Sequence, residues 1–362
     1  MTRCPPQPFH VIAASALALS FCAPLLAADC AAVGPFEPTC GFQRPEDLEL
    51  MPDGHALLIS EYGTLGGAEP GRLKLWKPDA PARVLYPADN ADGTPDWGAA
   101  DCPGAPGLAF APHGIHLGPA AGENRVFAVN HGQREAVEIF ELTAGDDGNA
   151  AALHWRGCVP APEGVWLNDV AGLPGGGFAV THMVTKGTHE EDLFAAEAAR
   201  NPIGYALEWS PAGGWLRLPG TDGSLPNGIE VSDDGTVLYI NEYFGDRTYA
   251  LERSSGKRLW STAVDGPDNL GWSADGRLLA ASHHGNLREI FACNALPTTP
   301  CAMRYSVVAI DPVSGNRVTV LEGGPHPLGA ATVATEFDGR LYMGSFVGDR
   351  IVSAPSGSGV QH

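Results

Sequence analysis

Glu46, Asn168, Asn227 and Asp268 each stand eight positions ahead of a turn glycine, namely Gly54, Gly176, Gly235 and Gly276. Asn269 follows Asp268 directly. These side chains offer carboxylate and amide oxygens and no thiolate. Hard oxygen donors of this kind suit Ca²⁺ rather than zinc. Two carboxylates balance one divalent ion, and without it they repel each other or take up protons. Asn-Gly and Asp-Asn pairs are also ordinary turn formers. For one pair that plainer reading is preferred; for four at one register the shared site is the stronger reading. A hydrogen-bonded polar plug is the alternative to a metal, since buried carboxylates need some compensation.

A looser fifth copy, PHGIHLGPAAGENRVFAVN, places His113 at the same point, and a sixth, GAATVATEFDGRLYMGS, places Ala331 or Thr332 there. His113 then borders the metal. His131, in AVNHG, ends the strand after that hairpin and sits behind it. A histidine relays protons near neutral pH, although a lone one more often packs and hydrogen-bonds. His283, in AASHHGN, lies at a comparable strand end and is a weaker candidate for lining the pocket. Asp47 and Asp169 each follow a proposed ligand. A bend could turn both inward to a second, deeper ion with a backbone carbonyl near Ile115, or they cap turns; spacing does not choose.

These residues need a scaffold that brings distant segments to one axis. After each turn comes an alternating apolar run: HALLISEY, NRVFAVNH, GGFAVTHM, TVLYINEY, RLLAASHH and RLYMGSF. Period-two alternation after a glycine turn signals a strand. The turn positions recur roughly 40 to 70 residues apart, which fits one four-stranded blade each. The chain is expected to be all-β, a six-bladed β-propeller with a central calcium-binding channel. The 46 glycines and 31 prolines suit short strands and many turns. HEEDLFAAEAAR interrupts the pattern and predicts a short helix, either a lid at the channel mouth or a passive excursion. Residues 87–107 form a second long insertion with no assignable role.

The net charge is −20 with no basic run, which disfavours nucleic acid and anionic membranes as partners. Residues 1–28 read as a signal peptide, with a basic start, an apolar stretch from Val11 to Leu26 and small residues at Ala27 and Ala28. An uncleaved anchor is the minority reading. The propeller occupies 29–362, in a secreted or periplasmic monomer. Cys30, Cys40, Cys102, Cys158, Cys293 and Cys301 remain, and an even count in an exported chain favours disulfides. Cys293 and Cys301 are expected to pair locally. Cys102 and Cys158 could join neighbouring blades. No zinc-type spacing is present, and no Gly-x-Ser-x-Gly lies in the middle of the chain, which disfavours a serine hydrolase.

PEDLELMPDG, APHGIHL, VFAVNHGQREAVEIFEL, WLNDV, LPNGIEVSDDGTVLYINE, PDNLGWSADG and ATVATEFDGRLYMGS together resemble the paraoxonase (arylesterase/lactonase) family, within the SMP-30/gluconolactonase group. The resemblance spans about residues 40 to 350. It implies a six-bladed propeller with two calcium ions. Glu46, Asn168, Asn227, Asp268 and Asn269 would bind the catalytic ion, and Asp47, Asp169 and the Ile115 carbonyl the structural one. His113 and His131 match a histidine dyad and His283 a pocket histidine. The implied activity is hydrolysis of lactones or aryl esters. A non-catalytic ligand-binding propeller with structural calcium is the alternative. Two departures stand out. The family's last-strand cysteine is replaced by IVSAPS, so ring closure needs strand pairing or another bridge. THMVTKGTHEED replaces a polar-aromatic stretch, which alters the pocket wall. The family's apolar lipid-docking helices have no match, so no membrane docking is expected.

Overall fold

The structure, a computed structural model, describes residues 30–64, 68–88, 92–120, 123–143, 151–296 and 300–357. The expected signal segment 1–28, with Cys4 and Cys22, lies outside them. Six sheets follow one another along the chain, antiparallel except for one parallel pairing in the second. Their innermost strands are Pro45–Leu50, Pro112–Ala120, Val165–Gly172, Pro226–Val231, Pro267–Trp272 and Ala331–Phe337. Each innermost strand touches the next, and the sixth touches the first, so the ring is closed. The fold is a six-bladed β-propeller, as the repeat predicts.

The ring closes through strand pairing. Glu37–Cys40 pairs antiparallel with Arg350–Pro355 and so forms the outer strand of blade 6. The Cys30–Cys40 disulfide fastens the start of that strand. Insertion 87–107 supplies the fifth strand of blade 2, Asp92–Gly98, which runs parallel to Ala152–Pro160. Cys102 and Cys158 do bond, but inside blade 2 rather than between blades, because the insertion folds back on its own sheet. Cys293 pairs with Cys301.

The apolar face of each strand is buried between adjacent blades. Leu58, Leu75 and Tyr86 of blade 1 meet Val126, Phe140 and Trp155 of blade 2. Every other interface carries a comparable cluster. Period-two strands that bury one face against a neighbour leave alternate inner-strand residues for the channel. Each inner strand also carries one extra residue near its start, where pairing with its partner shifts register. A β-bulge of this kind re-aims side chains. Four of these strands open on proline, at Pro45, Pro112, Pro226 and Pro267, a position that tolerates a missing N–H.

Two helices interrupt the sheets. α1, Glu190–Ala199, lies inside the predicted HEEDLFAAEAAR segment and opens on Glu190, Glu191 and Asp192. α2, Leu287–Asn294, follows the second strand of blade 5 and is set by a capping box between Asn286 and Glu289. Among the described residues no helix is long and apolar enough to cross a membrane.

Candidate active site and metal centre

The bulged position holds Glu46, His113, Asn168, Asn227, Asp268 and Thr332 in blades 1 to 6. The sixth slot is therefore Thr332 and not Ala331. All six are buried and all six line one cavity of about 340 Å³. Neighbouring blades hold their backbones in place. Thr181 Oγ1 donates to the Asn227 carbonyl at 2.6 Å, and the Thr332 hydroxyl donates to the Glu46 carbonyl.

Four oxygens of the predicted ligand set have no hydrogen-bond partner: Glu46 Oε2, Asn168 Oδ1, Asn227 Oδ1 and Asn269 Oδ1. Asn269 lies one residue deeper, and its Nδ2 donates to Glu46 Oε1 at 2.8 Å. A buried polar atom left unpaired costs about 1–3 kcal/mol, so four around one floor call for a cation or donors. Burial drives the Asp268 carboxyl up to about 8, and a hydrogen bond with Asn227 only partly offsets this. Glu46 is pushed well above the usual carboxylate range by burial, then by the charges of Asp47 and Asp268. Oxygen donors, two carboxylates and unpaired amide oxygens together fit a calcium ion.

Beside this floor stands a chain of three titratable groups. His113 Nδ1 lies 3.0 Å from His131 Nε2. His131 Nδ1 lies 2.9 Å from Glu135 Oε1, although off the hydrogen-bond line. A proton on His131 Nδ1 faces the Glu135 carboxylate and leaves Nε2 to accept from His113 Nδ1–H. That arrangement leaves the His113 Nε2 lone pair free, 3.6 Å from Glu46 Oε1. Burial, and then His131, hold His113 well below the usual imidazole range, so it is neutral at pH 7. Glu135 is itself anchored: Leu167 N–H donates to its Oε1 at 2.8 Å, and Lys186 Nζ lies 3.4 Å from its Oε2.

Above the floor the wall is mostly apolar, broken by Thr188, Glu190 and Asn294. Trp166, Met183, Leu193, Leu225, Tyr243, Phe244, Leu287, Ile290, Phe291 and Phe346 line it. Leu193 belongs to α1; Leu287, Ile290 and Phe291 belong to α2. The helices lock together through a Phe194–Phe291 edge contact at 5.7 Å and the Arg288 guanidinium 4.1 Å above the Phe194 ring. Leu287 N–H also donates to Glu197 Oε1 at 2.7 Å. Across the cavity from His113, His283 Nδ1 meets the Tyr243 hydroxyl at 2.9 Å.

The channel continues below the floor. Asp47 and Asp169 face it from blades 1 and 3. Asp47 accepts N–H bonds from Leu48 (2.9 Å) and Ile115 (2.7 Å), and Asp169 from Val170 and Ile229 (2.8 Å each). Each aspartate thus ties its own blade to the next. Glycine at the equivalent point of blade 2 leaves Asp169 room, for a Cβ on Gly114 would lie 2.3 Å from Asp169 Oδ1. Deeper still, Glu49, His116 and Glu230 bring their ligand atoms within 4.8 Å of one another, which makes them a possible metal-binding triad. One feature weighs against the imidazole as a ligand there. Gly172 N–H donates to His116 Nδ1 at 3.1 Å, so the ring proton sits on Nε2, 3.5 Å from Glu230 Oε2.

The same fold is found in gluconolactonases. A gluconolactonase from Xanthomonas campestris, important in glucose secondary metabolic pathways, superposes with a TM-score of 0.50 at 18% identity, over 89% of this chain and 89% of that one. A second protein assigned as a gluconolactonase gives 0.51 at 16% identity, over 92% and 97%. A luciferin-regenerating enzyme gives 0.50 at 11%, over 89% and 98%. No protein-family model and no curated protein matches the chain. At these identities the likeness establishes the propeller and nothing finer.

The structure gathers Glu46, Asn168, Asn227, Asp268, Asn269, His113 and His283 around one cavity floor, with His131 directly behind His113. Of the second predicted set, Asp47 accepts from the Ile115 N–H, while Asp169 accepts from Val170 and Ile229 instead. The sequence reading missed Glu135, Tyr243 and the Glu49–His116–Glu230 group. Glu135 follows His131 by four residues and had a local signal. Tyr243 had none, because its partner lies 40 residues on.

Proposed function

We propose that this protein is a secreted, calcium-dependent hydrolase of lactones and aryl esters, as its resemblance to the paraoxonases implies. The observation that carries the reading is the set of unpaired buried oxygens on Glu46, Asn168, Asn227 and Asn269 beside the His113–His131–Glu135 chain. Three disulfides are consistent with an extracellular setting.

Glu46, Asn168, Asn227, Asp268 and Asn269 would hold the calcium, which when bound supplies a Lewis acid to polarise the ester carbonyl. His113 takes a proton from the attacking water at Nε2. His131 orients His113 through their 3.0 Å contact and shares the charge that develops, with Glu135 behind it. His113 is suited to this because it is held neutral. Asp47, Asp169 and the Ile115 carbonyl would hold a second, structural calcium, and the aspartates link blade 1 to blade 2 and blade 3 to blade 4 whether or not it binds.

The wall argues for apolar substrates. A polyhydroxylated sugar lactone needs hydrogen-bond partners for each hydroxyl, and the residues of α2 that face the cavity are mostly Leu287, Ile290 and Phe291. A lactone with an alkyl side chain, or a phenyl ester, suits that surface better than gluconolactone. The deciding experiment pairs metal analysis of the purified protein with hydrolysis of alkyl lactones, phenyl esters and gluconolactone before and after chelation. Calcium-restored turnover that favours the apolar substrates supports the reading. A folded, calcium-loaded protein inert to all three classes would be a binding propeller.

A further inference from the structure

Opposite the His113 chain, a second histidine presents an unpartnered nitrogen to the same cavity. His283 lies at the end of the second strand of blade 5 and is 2% exposed. Its Nε2 has no hydrogen-bond partner and lies 3.6 Å from Asp268 Oδ2. Its Nδ1 meets the Tyr243 hydroxyl at 2.9 Å. Tyr243 comes from the adjacent blade, directly after the second strand of blade 4.

The tautomer of His283 follows from the donor and acceptor inventory. The Tyr243 phenol is buried and stays protonated, because burial and then the Asp268 charge raise it well above its ordinary value. A buried O–H needs an acceptor, and His283 Nδ1 is the one within reach. Nδ1 therefore carries the lone pair and Nε2 the hydrogen.

Resting on the hydrolase reading above, we propose that His283 Nε2–H is a fixed hydrogen-bond donor to the departing ester oxygen, and that Tyr243 is the positioning residue that sets this tautomer. The placement divides the labour across the cavity. His113 presents a lone pair on one side and takes the proton of water. His283 presents an N–H on the other and steadies the negative charge that builds as the carbon–oxygen bond breaks. No proton need leave His283, since solvent or protonated His113 can supply the alkoxide. The donor matters most for a poorly stabilised leaving group, such as the alkoxide of an alkyl lactone, and least for a nitrophenolate.

Two measurements on the calcium-loaded full-length protein test this. Long-range ¹H–¹⁵N spectra report the tautomer directly. The expected result is Nε2–H for His283 in the wild type, with Nδ1–H gaining in Tyr243→Phe. A wild-type ring with its hydrogen on Nδ1 overturns the assignment irrespective of activity. Steady-state kinetics supply the second readout. His283→Gln and Tyr243→Phe should lower kcat/KM about 10- to 100-fold on an alkyl lactone, the range for one hydrogen bond to a charged atom, and no more than about 3-fold on a nitrophenyl ester. Equal losses on both classes in an otherwise active enzyme overturn the donor role and leave the hydrolase intact. A wild type inert on both overturns the hydrolase and the donor role together.

Discussion

The two ends of the channel are built from the same materials and finished differently. At the cavity end Glu46, Asp268 and His113 stand beside amide oxygens that nothing satisfies. At the far end Glu49, Glu230 and His116 are tied down by the backbone: Leu117 bonds Glu49, Val231 N–H donates to Glu230, and Gly172 N–H donates to His116. Carboxylates and an imidazole at close quarters are therefore not by themselves a reactive site. What separates the ends is whether the protein has completed its own hydrogen bonds or left them for a guest.

If this contrast is right, substitutions at the two ends should differ most in their effect on metal and turnover. Asp268→Asn or Glu46→Gln should remove tightly held calcium from the cavity floor and lower kcat roughly 10³-fold or more, as for loss of a principal electrostatic stabiliser. Calcium analysis alongside kinetics checks this. Retained metal with full activity would end the floor's claim to be the centre. His113→Gln should cost about 10²–10⁴-fold in turnover, the range for a general base, while calcium content stays unchanged. Turnover at the wild-type level would pass water activation to another group, such as Glu46.

Stability should separate the calcium-stripped and calcium-loaded states with pH. In the stripped protein Asp47 is raised to about 7 and Asp268 to about 8, both chiefly by burial. Folded-state pKa values above the unfolded value of about 3.9 mean that the folded form holds protons more tightly. Their contribution is complete below about pH 4 and is lost as pH climbs through 7 to 8. Melting of EDTA-treated protein should accordingly drop from pH 5 to pH 9, and calcium should restore most at the alkaline end. A flat profile would mean that the channel carboxylates are compensated by something other than protons or metal.

The smallest effects belong to the far end and the wall. Glu230→Gln should change kcat less than about 3-fold and stability by about 1–2 kcal/mol, the scale of one buried hydrogen-bonded group. A loss as large as that for Asp268→Asn would erase the distinction between the ends. Phe291→Ala should raise KM for an alkyl lactone by about 3- to 30-fold, as expected for trimming an apolar pocket, and leave a small phenyl ester nearly untouched.

Much of this architecture is visible in the chain. The eight-residue register between slot and glycine survives because a bulged inner strand and its tight turn are local, so the four slots and the looser copy at His113 all fall at the bulge. The α1 segment was visible as an interruption of alternation. α2 carried its own signal, Asn286 and Glu289 in a capping box, and escaped notice in a short stretch between two strands. The pairing of Cys293 with Cys301 was local and legible. Cys102–Cys158 suggested a link between blades because nothing local shows that residues 92–98 turn back to join their own sheet.

By itself the sequence determined the repeat, the strand alternation that buries one face and frees the other, and the oxygen-bearing residue type at the bulge. All of these arise from interactions among residues close along the chain. Only the tertiary structure decided which slots look at one another, that Glu135 stands behind His131, that Tyr243 sets the face of His283, and that α1 and α2, joined by a bond across 90 residues, close a mostly apolar wall over a polar floor. Those relations depend on how one blade packs against the next, and packing between distant segments leaves no period in a sequence.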